Sequence, residues 1–429
     1  MKNILRNLWN HRSQNIWLFV ELIIVTVVAW MVLDTAIVCR YLRNMPDGFD
    51  ADRLVCIKAH SVYNPLKKDN IDELKDYLRQ IDDVENVCIE YSKPYGSFTT
   101  YQQGIENVAV DNDTVWVRSF KLYPGQKFFN TYGIHVLDGC VAEDDWNPEV
   151  ERTIVISKSI AQRMFNRTDV AGRRIHILTD DRLQYGDTKE WIEYRIQAVV
   201  EDSKASTYDY NPCALFIPTK FYGGENNNIT LRLKEGVDPR LFLEVHRQEL
   251  NKAEVNGGRY SLFGGQPYQT IREAHNAKEK EEKEYRMNLL LSSFFLISVC
   301  LGTIGAFWKQ MQRRTGEVGI MRAFGATRPR VMRMFLQEGF VLTTLAVFIG
   351  IAIYFNYAIS HDFPSSYLIP KYNPGGMFAG IPQFWFMNFS THFTVVSILI
   401  YLLLLTVVSI GIAIPAWRAS RTHIVDTLK

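Results

Sequence analysis

The sequence predicts a membrane protein of four transmembrane α-helices, one and then three, with a large extracytoplasmic α+β domain inserted between the first and the second. Three observations predict it. Residues 16–38, 287–308, 340–359 and 393–416 are almost wholly apolar, and each window has the ~20 residues a helix needs to cross the hydrocarbon of a bilayer. The interval 40–285 is polar and has the composition of an ordinary folded domain. The basic residues that flank the windows are distributed unevenly, as the positive-inside rule requires.

The totals narrow the classes further. The chain has 429 residues and a formal net charge of +2, with 22% charged residues, so nothing global points to nucleic acid. Mean hydropathy is near zero, an average that conceals the four apolar windows. The six cysteines (Cys39, Cys56, Cys88, Cys140, Cys213, Cys300) form no CxxC pair, which excludes a zinc knuckle or a thioredoxin-like site. Cys56, Cys88, Cys140 and Cys213 fall in the polar interval, where either disulfides or free buried thiols fit.

Residues 1–15 carry Ile4, Leu5, Leu8 and Trp9 at helical spacing, with Lys2, Arg6 and Arg12 between them. This is the pattern of a basic amphipathic helix on a membrane surface. The first span, 16–38, is too long for a signal-peptide core and no small-x-small site follows it. It holds Glu21 near its inner end and Asp34 near its outer end, and both are expected to reach the interface. In 40–285, strands are expected at Leu54–Ala59, Val84–Glu90, Val155–Ser157, Tyr194–Val200, Ala214–Pro218 and Ile229–Leu233, from alternating or continuous apolar runs. Helices are expected at Ile71–Ile81, at Ser159–Phe165 with core positions Ile160, Met164 and Phe165, and at Arg240–Leu250. The charged run 273–286 reads as a solvated stalk helix at the end of this domain.

The second span, 287–308, ends on the interfacial Trp308. A basic loop, 309–333, separates it from the third span, 340–359. The loop 360–392 is rich in aromatics and prolines, and its Pro382-Gln383-Phe384-Trp385-Phe386 stretch reads as an interfacial belt. The fourth span, 393–416, is expected to end at Pro415, and a basic tail, 417–429, follows. The loop 309–333 holds seven Lys or Arg (Lys309, Arg313, Arg314, Arg322, Arg328, Arg330, Arg333) and one acid, Glu317, whereas 360–392 holds only Lys371 and Asp362. With four spans, both termini lie on the side of the basic loop. That side is the cytoplasm, and the large domain is outside.

The sequence holds no GxxxxGK[ST] phosphate loop, no HExxH zinc helix and no GxSxG elbow. Neither an enzyme nor a chain with its own energy source is expected, and no catalytic residue, cofactor or metal ligand is assigned. The feature that asks for a function is the cytoplasmic loop. From Gly316 to Phe324 it forms about two turns of helix, which Gly325 can stop in a left-handed cap. Thr327 can cap the next helix, with Pro329 in its first turn and Val331, Met334 and Phe335 leading into the third span. The short helix shows Ile320, Ala323 and Phe324 on one side with Arg322 beside them. It suits the groove of a partner protein as well as the surface of anionic lipid.

The residues Glu317-Val318-Gly319-Ile320-Met321-Arg322-Ala323-Phe324-Gly325-Ala326-Thr327, followed by Phe335 and Glu338, resemble the "EIGIRRALGAT…FL.E" signature of MacB/FtsX-like ABC-transporter permeases. Pro415-Ala416-Trp417-Arg418-Ala419-Ser420 is similar to that family's "PARRAA" ending, with Ile424 where the family has a proline. Val155 to Phe165 and Asp169 to Ile175 resemble the "VVISE.LA..LFG.EDPVGK.I" stretch of the MacB-type periplasmic core domain, and Ala198 to Asp202 its "GVV.D" strand. The order of one span, outer domain and three spans is also the family's.

The resemblance implies a permease subunit in a bacterial inner membrane, driven by an ATP-binding subunit on a separate chain. That subunit docks from the cytoplasm on the loop helix, and Glu317, Gly319, Ile320, Arg322, Ala323, Phe324, Gly325 and Ala326 form the contact. It further implies a second permease, identical or different, and a periplasmic adaptor or substrate protein. Members of the family perform efflux, extract lipoproteins or control cell-wall hydrolases. The alternative is a membrane signalling receptor with a periplasmic sensor domain, which would need a cytoplasmic output that the short inner segments do not offer.

Overall fold

The computed structural model describes residues 12–61, 68–90, 104–111, 113–141, 151–179, 190–204, 207, 213–218, 226–252, 254–255, 259–278, 280–360, 384–386 and 388–419. Most of the expected surface helix at 1–15, most of the loop 360–392 (Pro382 and Gln383 included) and the tail beyond 419 lie outside them. The chain divides into two units, one of residues 42–283 with 373–383 and one of the remaining, mostly apolar residues.

The first unit is α+β. In chain order it holds β1 (Leu54–Ser61), α2 (Lys68–Arg79), β2 (Val84–Glu90), β3 (Gly104–Val110), β4 (Asp113–Leu122), α3 (Phe128–Tyr132) and β5 (Val136–Gly139). There follow β6 (Thr153–Ser157), α4 (Lys158–Phe165), β7 (Arg174–Thr179), β8 (Glu190–Val200), β9 (Ala214–Pro218) and β10 (Asn226–Leu233). It ends with α5 (Pro239–Val245), α6 (Arg247–Leu250), β11 (Tyr260–Pro267) and α7 (Tyr268–Lys278); α1 is kept for the helix that precedes β1. Six of the strands coincide with apolar runs expected from sequence. The helix expected at Arg240–Leu250 is divided at His246, which caps both α5 and α6. Asp238 starts α5 by accepting from the Arg240 and Leu241 amides, with Pro239 in the first position that needs no donor.

Four strands form a sheet in the order β11-β1-β10-β2, antiparallel throughout. The sheet is apolar on both faces. Val55, Ile57 and Ala59 of β1 pack with α2 and α5 residues such as Leu74, Leu78 and Phe242, while Leu54 and Cys56 face a second core with Phe129, Tyr132 and Phe216. This is the period-2 alternation of a strand with a layer on each side. The other seven strands run β5-β8-β6-β9-β4-β3-β7, and β7 returns to β8, which closes a ring. The long β8 divides one edge between β7 (Glu190–Arg195) and β5 (Ala198–Val200). Val108, Val115, Val117, Ile154, Ile156, Ile175, Ile177 and Ile196 fill the ring. Closure removes most of the exposed strand edge.

The cysteines of this unit are free: Cys56, Cys88 and Cys213 are buried and Cys140 is exposed. Thr230 pairs with Cys56 on one side and Cys88 on the other. The two thiols are therefore two strands apart, roughly 9–10 Å, which is beyond disulfide reach. The charged run 273–286 exposes Glu273, Lys283 and Arg286 as a solvated helix does, though not along its whole length. Glu282 and Tyr285 are buried, and Glu282 accepts from Arg43 at 3.5 Å.

The second unit is helical: α1 (Arg12–Asn44), α8 (Lys280–Arg313), α9 (Thr315–Ala323), α10 (Arg328–Ser360) and α11 (Phe389–Ala419), of which α1 and α8 extend into residues of the first unit. Four of them are long and apolar enough to cross a membrane. One cluster of Leu18, Leu22, Phe307, Val331, Phe335, Val408 and Ile412 packs α1, α8, α10 and α11. Another gathers Trp30, Val299, Tyr354, Phe393, Val396 and Ile400. Small residues allow close approach: a Cβ on Gly350 of α10 would sit 2.6 Å from Thr26 Cβ.

One expectation for this unit is overturned. Asp34 does not reach an interface: it is fully buried and accepts from His392 of α11 at 2.7 Å, because α1 carries it on the face packed against α11. In the stretch expected to form an interfacial belt, Phe386 is buried and Trp385 packs on Tyr41 and His392. The fourth span ends at Pro415 as expected, while α11 itself continues to Ala419; a proline removes one helical hydrogen bond, and the remainder of the turn can hold.

Candidate functional site

The site is built from the corner between α8 and α10. α8 stops at Arg313, and Arg314 leaves the helical conformation (φ −102°, ψ 10°). Its carbonyl accepts from the Val318 amide at 3.1 Å and so starts α9. α9 ends two and a half turns later in a Schellman motif. The Ala326 amide donates to the Met321 carbonyl and the Gly325 amide to that of Arg322, both at 3.0 Å, and Gly325 takes φ +88°. That geometry is the reason a glycine stands there. The Thr327 carbonyl then accepts from Val331 at 3.2 Å, which begins α10.

The faces of α9 divide sharply. Val318 is 1% exposed in the cluster with Leu22, Phe307, Val331 and Phe335, and Gly319 is buried beside it. On the other side Ile320 is 51% and Phe324 89% exposed, with Ala323 exposed between them. Spacing of three and four residues puts these three on one face. Arg322 is half-buried, and Ala326 packs partly on the cluster. Glu317 lies in the first turn of α9. All eight residues singled out in the sequence thus lie on one short helix and its cap, Ile320, Ala323 and Phe324 facing out, Val318 as their anchor.

Sequence reasoning missed Arg314. It counted among the loop's surface cations, yet it is 3% exposed. Its Nε donates to Glu317 at 2.9 Å and its Nη1 to Glu338 at 2.6 Å, and its guanidinium lies 4.8 Å from the centre of the Phe335 ring. Glu338, ten residues into α10, is itself 6% exposed. Charge-assisted bonds of this kind are short and directional, and the planar guanidinium serves two carboxylates at once. The signal was available in the sequence: an interfacial glutamate in a span asks for a cation.

Comparison with known proteins bears on this architecture. A model of the MacB-like periplasmic core domain matches residues 22–246, and one of the FtsX-like permease C-terminal region matches 289–424. The macrolide export ATP-binding/permease protein MacB of Neisseria gonorrhoeae is 22% identical over 253 residues, 56% of this chain and 36% of that protein. Its counterpart in Burkholderia cenocepacia is 25% identical over 315 residues, 71% of this chain and 40% of that protein. The chain thus spans about a third of the length of the first of these and two-fifths of the second. The periplasmic region of MacB from Actinobacillus actinomycetemcomitans aligns with 54% of this chain and 96% of its own, at 14% identity and a TM-score of 0.31. The extracellular domain of the ABC-type transporter YknZ aligns with 49% and 100%, at 12% identity and a TM-score of 0.26. With one family model covering more than half of the chain and a second covering its last three spans, the chain belongs to the MacB/FtsX-like permeases.

Proposed function

We propose that this permease transmits the work of an ATP-binding partner to its outer domain, and that α9 is where the work enters. The observation that carries this reading is the form of α9: a capped helix with an apolar outer face of Ile320, Ala323 and Phe324, anchored inward by Val318. An exposed Phe–Ile pair on a helix held this firmly fits the apolar groove of a protein partner. The basic residues of the loop support a cytoplasmic position for α9, with both termini on the same side. Glu317, Gly319, Ile320, Arg322, Ala323, Phe324, Gly325 and Ala326 form the contact and its frame. A second permease completes the membrane unit, and an adaptor or substrate protein meets the outer domain. The cargo is acted on from outside the membrane, by efflux, by lipoprotein extraction or through control of a cell-wall hydrolase.

The test is co-purification of the full-length tagged chain from its native membrane, followed by ATP hydrolysis. An ATP-binding protein is expected in the complex, and its hydrolysis rate is expected to depend on the permease. Gly325→Val forces a β-branched side chain into a left-handed conformation, a cost of roughly 1–2 kcal/mol. It and Glu317→Lys, which sets a second cation beside Arg314, are expected to reduce the stimulation several-fold while the protein stays in the membrane. A well-expressed chain that never associates with an ATP-binding protein refutes the reading.

A further inference from the structure

We infer that Arg314 is a positioning residue for coupling: it makes the corner of α8, α9 and α10 rigid, so that displacement of α9 moves the third span rather than bending the loop. The inference rests on the reading of α9 as the point where work enters, and it assigns the transmission step to a residue outside the docking face.

The geometry has three parts. Arg314 is the single residue between α8 and α9, at the point where the backbone turns. Its side chain leaves that corner and reaches Glu338, beyond the first turns of α10, at 2.6 Å. On the way it takes in Glu317 of α9 at 2.9 Å and lies against the Phe335 ring. One guanidinium therefore ties three elements. Without it, α9 holds to α10 through the packing of Val318 and through the Schellman turn. A two-residue connection, Ala326 and Thr327, separates the last turn of α9 and its cap from α10, and such a joint can hinge.

Burial separates the two ion pairs in their effect. Arg314 and Glu338 are both nearly removed from solvent, whereas the Glu317 side chain is 39% exposed. Loss of one member of a buried pair leaves an uncompensated charge, and loss of a half-exposed partner costs far less. Glu338 is thus the principal partner and Glu317 the auxiliary one. Neither Arg314 nor Glu338 belongs to the contact or to its apolar face of Ile320, Ala323 and Phe324, so a partner can still bind when the tie is broken.

The experiment uses the full-length permease in proteoliposomes, alone and with its co-purified ATP-binding protein. In the permease alone, protease cleavage at α9 is expected to rise on the order of tenfold in Arg314→Met and in Glu338→Gln, and less in Glu317→Gln. In the complex, the same two variants are expected to retain the ATP-binding protein and the KM for ATP, and to lose at least five-fold in stimulated kcat. The exchange Arg314→Glu with Glu338→Arg is expected to recover part of both losses, which a general loss of fold would not do. Wild-type cleavage and wild-type stimulation in Arg314→Met and Glu338→Gln overturn the inference. Loss of the bound ATP-binding protein in these variants, in place of the fall in kcat, also overturns it, because Arg314 would then serve docking. If the wild-type permease neither binds nor stimulates an ATP-binding protein, the reading of α9 fails, while the cleavage comparison still decides whether Arg314 holds the corner.

Discussion

At the scale of single residues, the outer domain holds a carboxyl whose setting no local pattern announces. Glu90 ends β2 fully enclosed, and burial pushes it up to about 7, against hydrogen bonds from Tyr132 (2.7 Å), Thr230 and Cys88 that favour the ionised form. No cation contributes to that balance. The folded value exceeds the ordinary one of 4.5, so the contribution to stability is complete below about pH 4.5 and is lost as pH rises through about 7. The shift corresponds to about 3 kcal/mol at alkaline pH. Glu90→Gln is therefore expected to leave stability at pH 4.5 nearly unchanged and to raise it at pH 8, by up to that amount. Thermal unfolding of the full chain at the two pH values measures the difference between variant and wild type, in which the titration of other carboxyls cancels. An equal effect at both pH values would show that Glu90 is already ionised in the fold. In sequence, Glu90 is only the last residue of VENVCIE. What surrounds it comes from 42 residues further on at Tyr132 and 140 further on at Thr230, and no period or motif joins them.

At the scale of elements, the chain was readable wherever a continuous apolar run or a special backbone angle decides the pattern. β1, β2, β6 and β9 stand where their apolar runs stand, and Gly325 could be read as a cap because a left-handed turn after a short helix asks for glycine. β3, β4, β5, β7 and β11 were not foreseen. They are ring or edge strands with a wet face, as in β4, where exposed Thr114 and Trp116 flank buried Val115, and an apolar residue such as Trp116 on the wet face blurs the alternation that marks a strand. Polar side chains inside the helical unit were misjudged for a related reason: depth along a span does not tell which face a residue occupies. Asp34 is near the outer end of the apolar window 16–38, yet α1 turns it toward α11 and His392, among Trp30, Trp385 and Phe393. With both groups fully buried, His392→Leu leaves the carboxyl alone, at a cost of about 3–5 kcal/mol. Adding Asp34→Leu is expected to restore most of it, since an apolar pair of suitable volume can replace a buried polar one. Unfolding midpoints in detergent for the two variants measure this. A single variant as stable as wild type would mean that the two helices do not meet there.

At the scale of the whole molecule, the order of one span, outer domain and three spans was legible because hydrocarbon thickness fixes the length of the windows and so leaves little freedom in counting them. The side of the membrane on which each part lies is a separate matter, carried by the distribution of Lys and Arg rather than by hydropathy. The molecule holds its own probe of that distribution. Cys140 is exposed, whereas Cys39, Cys56, Cys88 and Cys213 are buried. A membrane-impermeant maleimide is therefore expected to label the native protein in right-side-out vesicles through Cys140, and labelling should vanish in Cys140→Ser. On that background Phe324→Cys places a thiol at the exposed C-cap of α9. With the permease expressed alone, it is expected to react in inside-out vesicles and not in right-side-out ones. Labelling of both thiols in right-side-out vesicles would require an even number of crossings between 140 and 324 and a basic loop outside the cell, and would remove α9 from the reach of ATP. Labelling from opposite sides leaves the three cations at Arg328, Arg330 and Arg333 next to the inner headgroups, where their charge holds the orientation in which α9 meets the cytoplasm.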